Sequence, residues 1–380
     1  MKNFSSFPTI GILGGGQLGR MSAIAAIQLG IRVKTLSPSA SGPESHIGES
    51  TIGDWNDPTV MAAFVRDCDV VTVESEWAPA ELAEAVSGNN THVWPSSDTL
   101  HIIRHKGRQK QAMDRAKIPV SEYKICATLD QAKAAFSLFG KKVVAKRFEG
   151  SYDGYGNATV TSEADLEQAW QALSADDGLL IESFVPFRRE LAVMVARSAS
   201  GESVVYPVVD TEQKDHRCHA VTAPAPVSES TKLSAEKLAL AAADAVSVVG
   251  LLGVEFFELD GGHLMVNELA PRPHNTGHFT IEACHTSQFE NHVRSILNWP
   301  LGDPSLRVPA AVMINLLGKR EGLAQTTGLM AALAIPGTSV HVYGKTETRP
   351  NRKMGHVTVT ANDTHTARIR AEQAAGIITL

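Results

Sequence analysis

Two acidic residues lie in stretches of sequence that otherwise have the apolar character of buried strands. Glu255 lies in "GVEFFELD", Glu268 lies in "LMVNELAPR", and the short segment "LDGGH" joins the two stretches. A buried carboxylate is costly unless it is paired or binds a metal. An antiparallel hairpin through this turn would place Glu255 opposite Glu268, where both could hold Mg²⁺ together with nucleotide phosphates. Structural ion pairing of the two acids is the alternative interpretation.

A lysine and a glycine-rich loop form a second group with possible phosphate chemistry. Lys146 ends the apolar run "VVAK", and "GSYDGYGN" follows at residues 150–157. An ammonium group held at a strand end can pair with phosphate oxygens, and a glycine-rich loop can fold over a triphosphate and exclude water. The alternative interpretation of the loop is an ordinary glycine-rich hairpin.

A glycine pattern at residues 11–21, "GILGGGQLGRM", contains G-x-G-x-x-G at a junction between a predicted strand and a predicted helix. Such a turn can bind an anion at the helix N-terminus. A nicotinamide dinucleotide site also needs an acid about 20 residues further on, but the second strand ends in Leu36 and Ser37. The sequence therefore disfavours that cofactor. A tight turn, or a phosphorylated or polar substrate that contacts Gln17 and the Leu18 amide, remains as the alternative.

The composition limits the kinds of partner and location. A length of 380 residues predicts two or three domains, and a net charge of −6 gives no general attraction to nucleic acid or anionic membranes. The chain shows neither a signal-peptide pattern nor about 18 consecutive apolar residues, so we predict a cytoplasmic protein. Its four cysteines lack C-x-x-C spacing and its histidines lack H-E-x-x-H. We therefore predict reduced structural thiols and no metal site built from Cys or His.

The order of apolar and polar segments predicts the elements that must position these groups. Strands alternate with helices over residues 9–75, which predicts a doubly wound parallel sheet. The polar, basic stretch 95–115 ends this first domain. Further along, the pattern predicts a helix over 162–177, a β-rich region over 190–223 and an alanine-rich helix over 234–249. The tail, 309–380, is predicted to contain short strands and a basic turn.

Several motifs, taken together, resemble a known enzyme class. Lys146, the glycine loop, "IESFVPFRRE" and "VNELAPRPHNTGH" resemble the ATP-grasp ligase superfamily. When "GILGGGQLGRM", "VTVESE" and "RPNRKMGH" are added, nearly the whole chain resembles the carboxyaminoimidazole ribonucleotide synthetase family, with the motifs in the same order.

The resemblance implies an α/β ATP-grasp fold preceded by a doubly wound, Rossmann-like pre-ATP-grasp domain. The domains would be residues 1–105, a central lid domain at 106–185, and a C-terminal domain with a small β-rich tail at 186–380, with the ATP-grasp region at about 110–298.

The implied activity is ATP-dependent carboxylation of 5-aminoimidazole ribonucleotide by bicarbonate, through carboxyphosphate, in purine biosynthesis. The implied ligands are ATP, bicarbonate, the ribonucleotide and Mg²⁺, without biotin or NAD. The resemblance also implies a homodimer and no nucleic-acid or membrane partner. A formate-dependent glycinamide ribonucleotide transformylase, an NAD-dependent oxidoreductase and a noncatalytic nucleotide sensor remain as alternatives.

The resemblance also implies residue roles. In the nucleotide site, the backbone of Glu182–Val185 would face adenine and Glu190 would bind the ribose. The implied ATP-binding residues are Lys106, Lys146, Ser151, Tyr152, Asp153, Gly154, Tyr155, Gly156, Asn157, Glu182, Ser183, Phe184, Val185, Glu190, Gln213, Asn267 and Glu268. Glu255 and Glu268 would bind Mg²⁺. Tyr155 and Gln213 stand where many members of the family have Arg and His.

The second substrate would bind opposite the nucleotide. The implied ribonucleotide contacts are Gln17, Leu18, Glu74, Glu76, Tyr152, Asp153, Arg272, His274, Asn275, Lys345, Arg352 and Lys353. Tyr152, Asp153, Arg272 and His274 form the implied catalytic set. Arg272 would hold the bicarbonate-derived anion, and either Asp153 or His274 would transfer the proton. Lys345, Arg352 and Lys353 would bind the 5-phosphate; a solvated basic turn is the alternative interpretation of these three cations.

Overall fold

Three sheets organise the chain in the computed structural model: an N-terminal parallel sheet, a small antiparallel sheet and a large antiparallel sheet. The structure describes residues 7–39, 42–43, 47–88, 91–140, 142–150, 156–173, 177–215 and 217–380. Within these ranges, no helix is both long and apolar enough to span a bilayer.

The N-terminal sheet has five parallel strands in the order β3-β2-β1-β4-β5. Its strands are β1 (Thr9–Leu13), β2 (Arg32–Ser37), β3 (Glu49–Ile52), β4 (Val70–Val73) and β5 (His92–Trp94). The helices of this region are α1 (Gln17–Gln28), α2 (Pro58–Arg66), α3 (Ala80–Ser87), α4 (Ser97–Arg104) and α5 (Lys106–Arg115). Strands β1 and β4 are buried along their whole length because helices cover both faces of the sheet. The expected doubly wound arrangement is confirmed.

The small sheet has the antiparallel order β6-β9-β7-β8. Its elements are β6 (Tyr123–Cys126), α6 (Leu129–Phe139), β7 (Val143–Arg147), β8 (Asn157–Val160), α7 (Glu163–Ala172) and β9 (Leu179–Ser183). Helices α6 and α7 pack against each other and share one apolar core with the strands. Helix α7 begins after Ser162, whose hydroxyl accepts a hydrogen bond from the Asp165 amide and so caps the helix.

The large sheet runs β15-β14-β10-β12-β13-β16-β20-β18, with β11 beside β10. Its strands are β10 (Arg189–Arg197), β11 (Ser203–Val205), β12 (Val209–Lys214), β13 (Arg217–Ala223), β14 (Gly250–Glu258), β15 (Leu264–Ala270), β16 (Ala310–Leu317), β18 (Thr338–Val342) and β20 (Lys353–Ala361). A separate pair is formed by β17 (Gly322–Leu323) and β19 (Glu347–Thr348). The accompanying helices are α8 (Glu229–Ala245), α9 (Thr280–Ala283), α10 (Gln288–Ile296), α11 (Leu329–Leu333) and α12 (Thr364–Ile377).

The helices differ from the sequence prediction at several boundaries: α7 ends at Ala172 rather than 177, and α8 ends at Ala245 rather than 249. The alanine-rich helix α8 begins at Glu229 rather than 234, because the Ser228 hydroxyl accepts the Thr231 amide and caps it there. The tail also contains the 14-residue helix α12, which the sequence prediction missed. Its small residues Ala367, Ala371 and Ala374 pack against β16 and β20.

The N-terminal sheet packs against the C-terminal part of the chain through α10. Val293, Ile296 and Leu297 share an apolar cluster with Ile10 and other residues of the N-terminal strands. Beside this cluster, the Thr72 hydroxyl lies 3.0 Å from His292 Nε2. This packing brings the carboxyl edge of the parallel sheet toward the large antiparallel sheet.

We expect Ile296→Ala to destabilise the protein by about 2–5 kcal/mol, because it leaves a cavity between the two sheets. Ile296 is 2% exposed. Thermal unfolding measures the effect, and Leu138→Ala, at a 65% exposed position on α6, is the matched control. Equal unfolding midpoints for the two variants would contradict this packing.

Candidate functional site

The glycine turn encloses a carboxylate that belongs to the protein itself. Strands β1 and β4 are neighbours, so the turn after β1 and Glu74 after β4 meet at one edge of the sheet. The Gly16 amide donates a hydrogen bond to the Glu74 carboxylate at the N-terminus of α1. A Cβ atom at Gly16 would lie 1.8 Å from Glu74 Oε1, and one at Gly19 would lie 2.8 Å from Glu74 Oε2. Gly14 has φ +129°, which favours glycine.

This arrangement gives the glycine pattern a physical explanation. The helix N-terminus attracts an anion, and the Glu74 side chain supplies one in the place where a dinucleotide would put its pyrophosphate. The Leu18 side chain points into an apolar cluster with Met21 and Phe289, so its backbone is the part that a substrate could contact. The proposed contacts from Gln17, Leu18 and Glu74 to the ribonucleotide remain predictions.

The two acids of the predicted hairpin face each other. Glu255 and Glu268 are direct partners in the antiparallel register of β14 and β15, which confirms the expected hairpin. A register shift next to this pair leaves Asn267 as the extra residue of β15. Burial and the charge of Glu268 raise the pKa of Glu255 to about 8. Burial alone would raise the pKa of Glu268 as well, but the nearby charge of Lys106 lowers it.

Two lysines reach this hairpin from other elements. Lys106, the first residue of α5, forms an ion pair with Glu268. Lys146, on β7, lies 2.9 Å from Glu182 Oε2 and donates a 3.4 Å hydrogen bond to Asn267 Oδ1. Burial works against the charge on Lys146, but Glu182 holds its pKa above the usual value. The acids and lysines expected to form a nucleotide site therefore lie together.

The carboxylate of Glu182 has a role that the sequence analysis did not foresee. Its second oxygen lies 3.1 Å from the ammonium of Lys110, a residue missing from the predicted site. Lys110 lies four residues after Lys106 on the same face of α5, and the spacing in "KGRQK" was the available signal. Burial alone would raise the pKa of Glu182, but Lys146 and Lys110 lower it to about 2.

The remaining nucleotide-site candidates lie around these groups. Ser183 ends β9, and the ring of Phe184 lies 3.4 Å under the Lys142 ammonium. Val185 follows in the connection to β10. Glu190, on β10, has its pKa raised to about 7 by burial. Gln213 lies on β12 beside a bulge in the pairing with β13.

Part of the predicted glycine loop lies outside the described residues. These positions are Ser151, Tyr152, Asp153, Gly154 and Tyr155. The described end of the loop joins β8, where Gly156 accepts a 2.9 Å hydrogen bond from the Arg147 amide and Asn157 pairs with Lys146 in the strand register. The roles predicted for residues 151–155 remain predictions.

Arg272 and Glu76 form a partly buried ion pair beside the acids. Arg272 Nε donates to Glu76 Oε2 at 2.7 Å, and Nη2 donates to Oε1 at 3.3 Å. Burial alone would raise the pKa of Glu76, but Arg272 lowers it to about 2. Since this contact uses two donors of the guanidinium, Arg272 keeps a fixed orientation.

His274 lies beside Glu255. Its Nε2 is 3.8 Å from Glu255 Oε1, and its Nδ1 is 2.8 Å from the Thr276 hydroxyl. Burial and the charge of Arg272 lower the pKa of His274 to about 3. The imidazole is therefore neutral near pH 7, and its burial and the nearby positive charge oppose its protonation.

Of the three cations predicted to bind the 5-phosphate, Lys345 contacts the backbone of Lys353, and Arg352 makes a separate contact. Lys345 donates a 2.7 Å hydrogen bond to the Lys353 carbonyl, and the charge of Lys353 acts on the pKa values of Glu255 and His274. Arg352 donates to the Glu347 carbonyl at 2.7 Å. Asn275 is buried in a reciprocal amide pair with Asn315, at 2.9 and 2.6 Å. Lys353 is therefore the cation of this group whose charge acts on Glu255 and His274.

The donor set at the hairpin suits a hard cation. Among the described residues, no three His, Cys, Asp or Glu side chains are grouped to hold a metal. Mg²⁺ commonly binds one or two carboxylates and takes its other ligands from water and phosphate oxygens. Glu255 and Glu268 fit this pattern, since a divalent cation would relieve the repulsion that raises the pKa of Glu255.

Comparisons with family models agree with this fold. The chain matches the ribonucleotide synthetase preATP-grasp domain at residues 7–104, the ATP-grasp domain at 111–289 and the phosphoribosylaminoimidazole carboxylase C-terminal domain at 311–370. The fold and the site together define an ATP-grasp protein.

Comparison with individual relatives identifies the family within the ATP-grasp proteins. The chain is 37% identical to N5-carboxyaminoimidazole ribonucleotide synthase of Synechococcus elongatus, over 96% of this chain and 92% of the relative. It is 40% identical to the chloroplastic phosphoribosylaminoimidazole carboxylase of Vigna aconitifolia, over 92% of this chain but 63% of that protein. The chain thus spans less than two thirds of the plant relative.

Comparison with solved structures identifies the same family. The N5-carboxyaminoimidazole ribonucleotide synthetase of Thermotoga maritima is 39% identical, with a TM-score of 0.88 and coverage of 98% of this chain and 99% of that one. The Aspergillus clavatus synthase in complex with ADP and 5-aminoimidazole ribonucleotide is 33% identical, with a TM-score of 0.88 and 98% coverage of both chains. This chain belongs to the N5-carboxyaminoimidazole ribonucleotide synthetase family.

The partly buried pair of Glu76 and Arg272 predicts a pH dependence of stability. The pKa of Glu76 is lowered in the folded state, so its contribution is complete above its usual value of 4.5 and is lost as the pH falls toward 2. We expect Glu76→Gln to lower the unfolding midpoint at pH 7, because Arg272 then lacks its partner. The midpoint difference from wild type should shrink below pH 4.5. A pH-independent difference in thermal unfolding between pH 7 and pH 3.5 would contradict this assignment.

Proposed function

We propose that this chain carboxylates 5-aminoimidazole ribonucleotide in an ATP-dependent ligase reaction of purine biosynthesis. The products are 5-(carboxyamino)imidazole ribonucleotide, ADP and phosphate. One observation carries the proposal: the facing acids Glu255 and Glu268 lie together with two lysines and with His274, which come from different elements. The printed names of the relatives and the ligands of the Aspergillus clavatus complex support the same substrates.

Mg²⁺ is the metal that the donor set favours. Glu255 and Glu268 would hold it together with the nucleotide phosphates. When bound, the ion neutralises phosphate charge and makes the terminal phosphorus easier to attack. Lys106 and Lys146 add positive charge where they contact Glu268 and Asn267 of the hairpin.

The first chemical step activates the carboxyl source, which we propose to be bicarbonate. A bicarbonate oxygen attacks the terminal phosphorus of ATP, the bond to the bridging oxygen breaks, and ADP leaves. Such a transfer depends on charge neutralisation and alignment rather than on a protein nucleophile. Arg272 is suited to hold the resulting carboxyphosphate anion, since Glu76 fixes its orientation.

The second step transfers the carboxyl group to the amine. The 5-amino group attacks the carbonyl carbon of carboxyphosphate, the carbon–oxygen bond to phosphate breaks, and the nitrogen loses a proton. We propose Asp153 or His274 as the proton acceptor. His274 lies beside Glu255, but its lowered pKa means that it would accept the proton only once a bound anion offsets the nearby positive charge. Lys353, with Lys345 and Arg352, is proposed to bind the 5-phosphate.

The family resemblance also supports two broader proposals. We propose that the protein acts as a homodimer and that it works in the cytoplasm. The separate roles assigned to residues 151–155, Gln17, Glu74, Asn275, Glu190 and Gln213 belong to the same proposal.

ADP formation under two substrate pairs tests the function. We expect turnover with 5-aminoimidazole ribonucleotide plus bicarbonate and background rates with glycinamide ribonucleotide plus formate. Glu268→Gln should lower the first rate at least about 100-fold, or about 3 kcal/mol of barrier, because it removes a metal ligand. Glu229→Gln, at a 70% exposed side chain, is the matched control and should retain the wild-type rate. Turnover only with formate would contradict the proposed substrate.

A further inference from the structure

Lys110 is a buried lysine that the mechanism above does not use. It lies one turn after Lys106 on α5 and is 3% exposed. Its ammonium donates a 3.0 Å hydrogen bond to the Ser121 hydroxyl and lies 3.1 Å from Glu182 Oε1. A buried ammonium is costly, so this lysine needs a specific reason to be there.

Glu182 lies between two lysines. One carboxylate oxygen is 3.1 Å from Lys110, and the other is 2.9 Å from Lys146. The Glu182 side chain is 4% exposed, so both ion pairs form away from bulk water. Two ammonium groups share one carboxylate, and the group of three residues carries a net charge of +1.

Lys146 is the member of this group that contacts the predicted nucleotide site. Lys146 also donates to Asn267 Oδ1, next to Glu268 in β15, whereas Lys110 contacts Ser121 on the opposite side of Glu182. If Glu182 paired with Lys146 alone, the pair would be neutral. Sharing the carboxylate with Lys110 therefore leaves Lys146 with more positive charge toward the acids and the phosphates.

We propose that Lys110 is a positioning residue of the nucleotide site, which acts through Glu182 to orient Lys146 and keep its charge available for nucleotide phosphates. This inference rests on the proposed function, since it assigns Lys146 to a nucleotide. Lys110 itself touches neither the nucleotide nor the metal in this account.

A purely structural role of Lys110 and a positioning role predict different effects on nucleotide binding. Any break of a buried ion pair lowers stability, so a lower unfolding midpoint does not distinguish the two roles. Nucleotide affinity and its dependence on Glu182 do distinguish them. If Lys110 acts through Glu182, removal of the Glu182 charge must also remove the effect of Lys110.

Calorimetric binding of Mg·ADP to the full-length protein tests the proposal. We expect Lys110→Met to weaken binding about tenfold, the scale on which groups behind a direct ligand act. Lys133→Met, which removes an exposed 2.6 Å ion pair with Glu167, is the matched control and should bind within twofold of wild type. Wild-type affinity in Lys110→Met would overturn the proposal.

Comparison of the double variant with Glu182→Gln separates an effect that passes through Glu182 from general damage caused by the loss of Lys110. We expect Lys110→Met/Glu182→Gln to bind Mg·ADP within twofold of Glu182→Gln, because Glu182→Gln already lacks the carboxylate through which Lys110 acts. A further tenfold loss in the double variant would overturn the proposal.

The binding measurement also separates this inference from the proposed function. It needs no ribonucleotide, so wild-type protein that binds Mg·ADP but does not carboxylate the ribonucleotide would refute the proposed function alone. Wild-type protein that does not bind Mg·ADP would refute both.

Discussion

Repulsion between two carboxylates is the constraint around which the site is built. Glu255 and Glu268 face each other across two antiparallel strands, and the pKa of Glu255 is raised to about 8. Two carboxyl groups that face each other in this way cannot both ionise easily without a positive partner. Lys106 supplies one such partner to Glu268, and a divalent cation with a nucleotide would supply the rest. We infer that Mg²⁺, when bound with the nucleotide, would take the place of the proton that the raised pKa of Glu255 favours.

The positive groups come from distant parts of the chain, which links the fold to the site. Lys106 and Glu268 are 162 residues apart, and Arg272 and Glu76 are 196 residues apart. The N-terminal sheet contributes Glu74 and Glu76 at the edge where β1 and β4 end, the usual ligand-binding edge of an open parallel sheet. The glycine turn holds Glu74 there, and the apolar contact through α10 keeps this edge against the large sheet.

Local sequence patterns were sufficient for the parts of the fold that depend on local order. Alternation of strands and helices predicted the parallel sheet, and two apolar strands around "LDGGH" predicted that Glu255 would face Glu268. The pattern could not show that Glu74 fills the glycine turn, that Glu76 binds Arg272, or that Glu182 holds Lys110. Each of these depends on contacts between segments far apart in the chain. Helix α12 was missed because small residues, rather than large apolar ones, form its buried face.

Diffraction from crystals grown with Mn²⁺ and a non-hydrolysable ATP analogue tests the central claim most directly. Mn²⁺ replaces Mg²⁺ at oxygen sites and gives an anomalous signal that locates the metal. The account predicts an anomalous peak between the Glu255 and Glu268 carboxylates, with an oxygen of each within about 2.3 Å and phosphate oxygens completing the coordination. A manganese ion bound elsewhere, with Glu255 and Glu268 both outside its coordination sphere, would contradict it.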